Sequence, residues 1–340
     1  MKTYNIAIVG ASGAVGHEFL KILAERDFPV GDLRLLATER SEGKKITFKG
    51  KEYTVERTTD QSFEGMDIAL FAGGSASKTY GPAAVKAGAV VIDNSSTYRY
   101  DPDVPLVVPE VNPEDVRWHK GIIANPNCST IIMVVALKPL HDAAKIKRIV
   151  VSTYQAVSGI GLPGISELKK QTEDIVNGRP VEVDAFKYQI AFNVIPQIDV
   201  LKEDDYYKEE MKMVWETQKM FHDPDIKVCA TAVRVPVYRS HSESINIETE
   251  KPLSPDEARA ILAKAPGVIV VDDPANSKYP MPLFSSDTDE VYVGRIRKDI
   301  SCDGNGLCLF IAADQIRKGA ATNTIQIAEL LVKEGLVLYF

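Results

Sequence analysis

The chain has 340 residues and a formal net charge of −7. This length is more than one ordinary hydrophobic core accommodates, so it predicts two domains. With 45% hydrophobic and 26% charged residues, the composition is that of a soluble globular protein. Lysine and arginine form no cluster typical of nucleic-acid binding, and no apolar run approaches the ~18–20 residues that span a bilayer. Nucleic-acid and membrane functions are therefore not expected, and the lack of a leader pattern predicts a cytoplasmic protein.

The first third of the chain alternates between short apolar strands and helical patterns. The strands are predicted at residues 4–9, 33–37, 67–72, 89–93 and 121–124. Helical periodicity lies between several of them, for example at 15–23 and 78–87. This alternation predicts a doubly wound parallel sheet with both faces covered.

The pattern changes after residue 128. Longer strands are predicted at 149–153, 228–237, 244–249, 291–296 and 307–312, with helices at 162–174 and 206–221. We therefore expect an α+β domain built on a mixed sheet. A final amphipathic helix at 315–333 is expected to pack back on the first domain. The predicted domains are residues 1–127 with 315–340, which would bind the cofactor, and 128–314, for catalysis and dimerisation.

A glycine-rich loop follows the first predicted strand and opens a helix. Glycine allows a tight turn and a close approach to a pyrophosphate, while the helix start offers free N–H groups. Because the loop follows the first strand of a parallel sheet, it predicts a Rossmann-type dinucleotide site. The residues expected to contact the cofactor there are Gly10, Ser12, Gly13, Ala14 and Val15.

The end of the second predicted strand bears on which dinucleotide binds. An acidic residue there usually holds the ribose hydroxyls of NAD, whereas arginine accommodates the 2′-phosphate of NADP. This sequence has both, as Glu39 and Arg40. We favour NADP, with Arg40 and Ser41 at the phosphate, because arginine binds phosphate in a bidentate manner.

One of the four cysteines stands in a setting that suggests chemistry. Cys128 lies between a predicted strand and a predicted helix, directly after Asn127, which is a good helix cap. At a helix start the thiolate is favoured, and strand ends of open α/β sheets are where ligands bind. In contrast, Cys229 is expected to be buried mid-strand. Cys302 and Cys308 flank a predicted turn and have no obvious base partner, and no cysteine spacing indicates a metal site.

A thiolate that acts on aldehydes needs a proton-handling partner close by. Of the five histidines, His241 is expected to end a strand that also contains Arg234, an ionic residue among otherwise apolar ones. A buried arginine needs a carboxylate, which is either an internal ion pair or a bound substrate. The remaining histidines stand in charged surroundings and are expected to be exposed; they are His17, His119, His141 and His222.

The assembled motifs resemble the bacterial aspartate-semialdehyde dehydrogenase family over essentially the whole chain. The motifs that carry the resemblance are the glycine loop and residues 94–99 (NSSTYR), 126–130 (PNCST), 152–159 (STYQAVSG), 209–212 (EEMK), 234–243 (RVPVYRSHSE) and 293–299 (VGRIRKD). The resemblance implies a fold like that of glyceraldehyde-3-phosphate dehydrogenase. It also implies NADP-dependent, reversible reduction of aspartyl phosphate through a cysteine thioester, and a homodimer or tetramer.

The resemblance also assigns roles to individual residues. It makes Cys128 the nucleophile, His241 the acid/base and Gln155 the group that orients the reaction. Substrate and inorganic phosphate would be held by Arg234 at the carboxylate, by Glu209 at the ammonium group, and by Arg99, Asn127 and Lys212 at the phosphate. Further cofactor contacts would come from Ser158, Gly159 and Gln315. The sequence departs from the family at Gln315, where asparagine is frequent, and at Ile160, where a small residue is common.

Three alternatives stay open at the level of sequence. A reductase of N-acetyl-γ-glutamyl phosphate shares the glycine loop, the cysteine and the histidine, but would not need Glu209. A phosphorylating glyceraldehyde-3-phosphate dehydrogenase suits Arg234 less well, because its substrate lacks a carboxylate. A non-catalytic NADP-binding sensor would keep the fold with an unreactive Cys128.

Overall fold

A computed structural model describes residues 2–302 and 304–337. Its strands are β1 Tyr4–Val9, β2 Val30–Ala37, β3 Lys45–Phe48, β4 Lys51–Thr54, β5 Glu56–Arg57, β6 Ile68–Phe71, β7 Val90–Asp93, β8 Ile122–Ala124, β9 Ile146–Gln155, β10 Lys227–Arg234, β11 His241–Thr249, β12 Val268–Val270, β13 Val291–Lys298 and β14 Asn305–Ala313. Its α-helices are α1 Ala14–Glu25, α2 Ala76–Lys86, α3 Cys128–Ala144, α4 Leu162–Val176, α5 Lys208–Met220, α6 Pro255–Leu262, α7 Pro282–Ser285 and α8 Thr322–Glu334. None of the described helices is both long enough and apolar enough to cross a membrane.

The chain divides into two compact units, residues 2–127 with 320–337, and residues 128–319. In the first unit, one sheet has the strand order β5-β2-β1-β6-β7-β8, and each neighbouring pair is parallel. Its central strands β1, β6 and β7 are buried almost throughout, as expected when helices cover both faces. Helix α8 belongs to this unit, where Glu329 accepts two hydrogen bonds from the Arg26 guanidinium, at 2.8 and 2.7 Å.

The second unit is built on a mixed sheet with the order β10-β9-β11-β14-β13-β12. The outer pairs, β10 with β9 and β12 with β13, are parallel, and the inner pairs are antiparallel. The predicted fold class, a Rossmann-type parallel sheet with a mixed-sheet α+β domain, is confirmed.

Several predicted boundaries differ from the structure. Strand β10 ends at Arg234, three residues before the predicted end, and Pro236, which has no N–H for a ladder, lies in the segment that follows. His241 begins strand β11, whereas we expected it to end a strand. The final helix does not begin at Gln315; a π-helical turn, Arg317–Ala321, precedes α8.

Candidate active site

A cysteine–histidine pair forms the centre of the candidate site. Cys128 is the first residue of α3, and its Sγ lies 3.5 Å from Nε2 of His241, the first residue of β11. Cys128 is half-buried and His241 is fully buried. The helix start favours a negative charge on this sulfur. The two residues that were predicted to act together are therefore within reach of each other.

The backbone fixes the tautomer of His241. The N–H of Ala156 donates to Nδ1 of the imidazole at 3.0 Å, so a neutral ring carries its proton on Nε2, facing the sulfur. Burial, together with the nearby Arg234 charge, lowers the pKa of His241 to about 3. At neutral pH the ring is consequently uncharged and presents a hydrogen-bond donor to Cys128.

A chain of polar groups continues from the histidine. Gln155 Nε2 lies 3.4 Å from His241 Nε2 and donates to Glu209 at 3.1 Å. Glu209 also accepts from Lys212 at 2.8 Å, and Lys212 donates at the same distance to Asp199. Burial alone would lower the pKa of Lys212, but the combined attraction of Glu209 and Asp199 raises it. The lysine therefore stays cationic beside two carboxylates.

Arg234 ends β10 and is 5% exposed. Its Nη1 donates to the Ala156 carbonyl at 2.7 Å, yet no carboxylate in residues 2–302 and 304–337 lies at ion-pairing distance from it. Burial lowers the pKa of Arg234, while Glu209 and Cys128 partly oppose that effect. The described residues therefore give Arg234 no internal ion-pair partner, and its contact with a substrate carboxylate stays a prediction.

Space beside this arginine is available because residue 159 is glycine. A Cβ at Gly159 would lie 2.7 Å from Nη1 of Arg234. The neighbouring Ser158 is buried, and its hydroxyl accepts a hydrogen bond from the Gln315 amide. The Gln315 carbonyl oxygen in turn accepts from the Ser240 N–H at 2.8 Å. Gln315 thus bridges two loops of the second unit, and its contact with a cofactor stays a prediction.

Two residues that the sequence did not single out shape the surroundings of the pair. Ser240, directly before His241, has a φ of +72°, which is unfavourable for a residue with a Cβ and turns the chain into β11. Gly319 lies in the π-helical turn, and a Cβ there would be 2.9 Å from Cβ of Cys128. π-Helical turns are frequent at functional sites. This one was not predicted, because the sequence pattern there is that of a regular helix.

In the first unit, the glycine loop adopts the form expected for dinucleotide binding. Gly10 has a φ of +86°, which favours glycine, and helix α1 begins at Ala14 directly after Gly13. A Cβ at Gly16 would lie 2.3 Å from the Gly10 carbonyl oxygen, so glycine is needed for the helix to pack against the loop. The first turn of α1 leaves N–H groups available for phosphate.

A cavity of about 460 Å³ opens beside this loop. It is lined by Gly10, by Thr38 and Glu39 after β2, by Arg57 of β5, and by residues including Gly73, Gly74 and Tyr80. Ser12 donates to the hydroxyl of the buried Ser41 at 3.0 Å, and the Arg40 side chain is exposed. Arg57 could not be predicted from the sequence, because only the pairing of β5 with β2 brings it to this cavity.

Arg99 also belongs to the first unit and is buried. Its Nη2 donates to the carbonyl of Asn94, just after β7, at 2.8 Å. Asn94 and Asn125 follow neighbouring parallel strands and bond to each other at 3.0 Å. Asn127 is buried two residues after Asn125. The phosphate roles of Arg99, Asn127 and Lys212 stay predictions.

Some predictions about single side chains are wrong. Cys229 was expected to be buried, but it is exposed, because the alternation of β10 turns it away from the buried face. Its sulfur lies 3.7 Å from the Tyr206 hydroxyl.

The four remaining histidines were expected to be exposed, and two of them are not. His119 is buried, with Nδ1 accepting from the Gly121 N–H at 3.1 Å, and burial lowers its pKa. His141 is half-buried against the Phe221 ring. His17 and His222 are exposed, as expected.

A dinucleotide-type parallel sheet together with a Cys–His pair beside a buried arginine is typical of nicotinamide-dependent oxidoreductases with a reactive cysteine. Comparison with known families agrees. The family described as "Semialdehyde dehydrogenase, NAD binding domain" matches residues 5–119, and "Semialdehyde dehydrogenase, dimerisation domain" matches residues 137–318.

Individual relatives identify the family within the semialdehyde dehydrogenases. A protein of Aquifex aeolicus named aspartate-semialdehyde dehydrogenase is 62% identical over 98% of this chain and 99% of its own. The crystal structure of Vibrio cholerae aspartate semialdehyde dehydrogenase II complexed with ASA has a TM-score of 0.96 at 50% identity, with both chains covered completely. The Candida albicans enzyme with NADP has a TM-score of 0.77 at 25% identity, covering 98% of this chain and 99% of that one. The chain belongs to the aspartate-semialdehyde dehydrogenase family.

Proposed function

We propose that the protein reduces L-aspartyl 4-phosphate to L-aspartate 4-semialdehyde, reversibly and with NADPH, in lysine, threonine and methionine biosynthesis. The observation that carries this proposal is the 3.5 Å approach of Cys128 Sγ to His241 Nε2 at the start of a helix. The relatives named for this activity, one of them titled as a complex with ASA, support the choice of substrate.

The first half of the reaction forms a thioester. The Cys128 thiolate attacks the acyl phosphate carbon, the carbon–oxygen bond to phosphate breaks, and the departing phosphate takes up one proton from solvent. Arg234 holds the substrate carboxylate, and Glu209 faces its ammonium group. Arg99, Lys212 and Asn127 hold the phosphate. Backbone N–H groups at the start of α3 stabilise the oxyanion.

The second half releases the aldehyde. The chemistry that bound NADPH supplies is hydride transfer to the thioester carbon. The resulting alkoxide re-forms its carbonyl as the carbon–sulfur bond breaks, and the electron pair returns to Cys128. The Nε2–H of His241 donates to the alkoxide and then to the leaving thiolate, while Gln155 orients the reacting carbonyl. In the overall reaction, aspartyl phosphate, NADPH and one proton are converted to aspartate semialdehyde, NADP and phosphate.

The residues of the first unit fit a dinucleotide. The loop from Gly10 to Val15 would hold the pyrophosphate, because its glycines allow a close approach of the backbone and the loop opens α1. Arg40 and Ser41 would hold the 2′-phosphate of NADP, next to the 460 Å³ cavity. Ser158, Gly159 and Gln315 of the second unit would complete the cofactor contacts. The Candida albicans relative with NADP supports this choice of dinucleotide.

Association with a second copy of the chain is part of the proposal. The second unit matches a family described as a dimerisation domain. It exposes Tyr188 and Phe192, together with the Tyr154 ring, which stacks on Phe310 at 6.1 Å. Large exposed apolar groups of this kind favour an interface between copies. We expect a cytoplasmic homodimer, and light scattering that gave a monomer mass would refute it, whereas a tetramer mass would extend it.

Two measurements test the activity. Wild-type protein is expected to reduce NADP with aspartate semialdehyde only when phosphate is present, and to give no comparable rate with N-acetyl-glutamate semialdehyde. When the protein is incubated with aspartate semialdehyde and NADP but without phosphate, intact-mass spectrometry is expected to detect an aspartyl adduct. Cys128→Ser is expected to lack this adduct, and the control Cys229→Ser is expected to keep it. Normal phosphate-dependent turnover by Cys128→Ala would overturn the mechanism, and preference for the acetylated substrate would favour the sister reductase.

A further inference from the structure

We propose that Glu39 and Arg57 form a selectivity pair that decides how the protein discriminates between NADP and NAD. This inference rests on the proposed use of a nicotinamide dinucleotide. Both residues line the cavity beside the glycine loop. Arg57 Nη1 lies 3.6 Å from Glu39 Oε2, and strand pairing places Arg57 directly beside Ala37, two residues before Glu39.

The position of Glu39 alone would favour NAD. It follows the last residue of β2 by two positions, where a carboxylate accepts hydrogen bonds from the ribose hydroxyls. A 2′-phosphate in that place brings further negative charge, which the carboxylate repels. A site with Glu39 and no nearby cation would therefore discriminate against NADP.

Arg57 changes this balance. Its guanidinium neutralises Glu39 and offers additional N–H groups that match a phosphate in bidentate geometry. Both side chains are largely exposed, at 57% for Arg57 and 76% for Glu39. Because exposed ion pairs contribute little, releasing Arg57 from Glu39 to a phosphate costs little. With NAD bound, Glu39 takes the ribose hydroxyls and Arg57 remains its counter-ion.

This arrangement predicts a site that accepts both dinucleotides, in which Arg57 contributes the preference for NADP. Arg40 directly follows Glu39 in the same short helical turn, and its side chain is exposed. Arg57 is supplied by a separate strand, β5, so its position does not depend on the turn that contains Arg40. Removal of Arg57 is expected to weaken discrimination even while Arg40 is intact.

Calorimetric titration of the full-length protein with 2′,5′-ADP and with 5′-AMP, at low salt, isolates this effect from catalysis. The two probes differ only in the 2′-phosphate. Arg57→Gln is expected to weaken 2′,5′-ADP binding about tenfold and to leave 5′-AMP binding within about twofold. Arg57→Lys is expected to retain part of the preference. Glu39→Gln is expected to tighten 2′,5′-ADP binding and to weaken 5′-AMP binding.

A matched control removes another exposed ion pair of the same unit. Lys45 lies 3.4 Å from Glu52, and Lys45→Gln changes the net charge by the same amount without touching the cavity lining. This variant is expected to bind both probes like the wild type. If Arg57→Gln weakened both probes equally, weakened neither, or matched Lys45→Gln, the selectivity pair would be refuted. A lack of semialdehyde oxidation would refute the proposed function alone, because the nucleotide affinities do not depend on turnover.

Discussion

Ala156 donates its backbone N–H to Nδ1 of His241 at 3.0 Å, and this one bond determines what the histidine can do for Cys128. With Nδ1 occupied as an acceptor, the neutral ring must carry its proton on Nε2, 3.5 Å from the sulfur. To take the thiol proton, the ring would need a second proton on Nδ1, against the Ala156 N–H. We therefore expect His241 to serve Cys128 as a hydrogen-bond donor, with the thiolate favoured by the helix start.

This arrangement predicts the pH dependence of the reaction. Because burial, with the Arg234 charge, lowers the pKa of His241 to about 3, the ring stays neutral throughout the working range. We expect kcat/KM for aspartate semialdehyde to show no ionisation of this histidine between about pH 5 and 8. His241→Gln, which keeps an N–H donor, is expected to lose about 10²-fold in kcat, and His241→Ala to lose more.

Initial rates from about pH 5 to 9, in buffers of constant ionic strength, check both points. The wild type and His241→Gln should share the shape of their acid limbs. An inflection near the ordinary histidine pKa of about 6.5 that disappears in His241→Gln would contradict the donor role and indicate a thiolate–imidazolium pair instead.

The sequence predicted the fold class and the central pair for physical reasons that can be stated. Parallel strands that are buried on both faces have continuous apolar sequences. The glycine loop turns with the φ of +86° found at Gly10, which glycine adopts without strain. Cys128 stood out because a strand end and a helix cap flank it. Family membership, inferred from motifs, is confirmed by relatives that cover nearly the whole chain.

Other features depend on tertiary contacts that a linear pattern does not contain. Arg57 reaches the cavity only because the two-residue strand β5 pairs with β2. The exposure of Cys229 depends on which face of β10 is covered, and apolar neighbours alone suggested burial. The tautomer of His241 depends on an N–H from another strand end, 85 residues away in sequence.

The glycine beside Arg234 leads to a second prediction. A methyl group at position 159 would lie 2.7 Å from Nη1, so Gly159→Ala should displace the guanidinium while the fold persists, since the conflict is with the end of a flexible side chain. We expect KM for aspartate semialdehyde to rise about tenfold, with a smaller effect on the thermal midpoint. Gly304→Ala is the control, because a Cβ there meets no atom within 4 Å. Unchanged KM in Gly159→Ala would mean that Arg234 does not hold the substrate where we place it.

The last prediction concerns Glu243, which shares the buried face of β11 with His241. Glu243 is fully buried, and neither carboxylate oxygen has a hydrogen-bond partner among residues 2–302 and 304–337. Burial raises its pKa well above the ordinary value, so the folded protein holds a proton that the unfolded chain releases. The stability that this proton contributes is complete below about pH 4.5 and declines as the pH rises towards the folded pKa.

Glu243→Gln keeps the shape of the side chain and removes the titration. Relative to the wild type, we expect the variant to gain up to about 1.4 kcal/mol of unfolding free energy per pH unit across that window, and to match it near pH 4.5. Urea unfolding at about pH 5, 6, 7 and 8 measures the difference, and the exposed Glu250→Gln should parallel the wild type throughout. A Glu243→Gln protein that was less stable than the wild type at pH 8 would show that the carboxylate is ionised and partnered in the folded state.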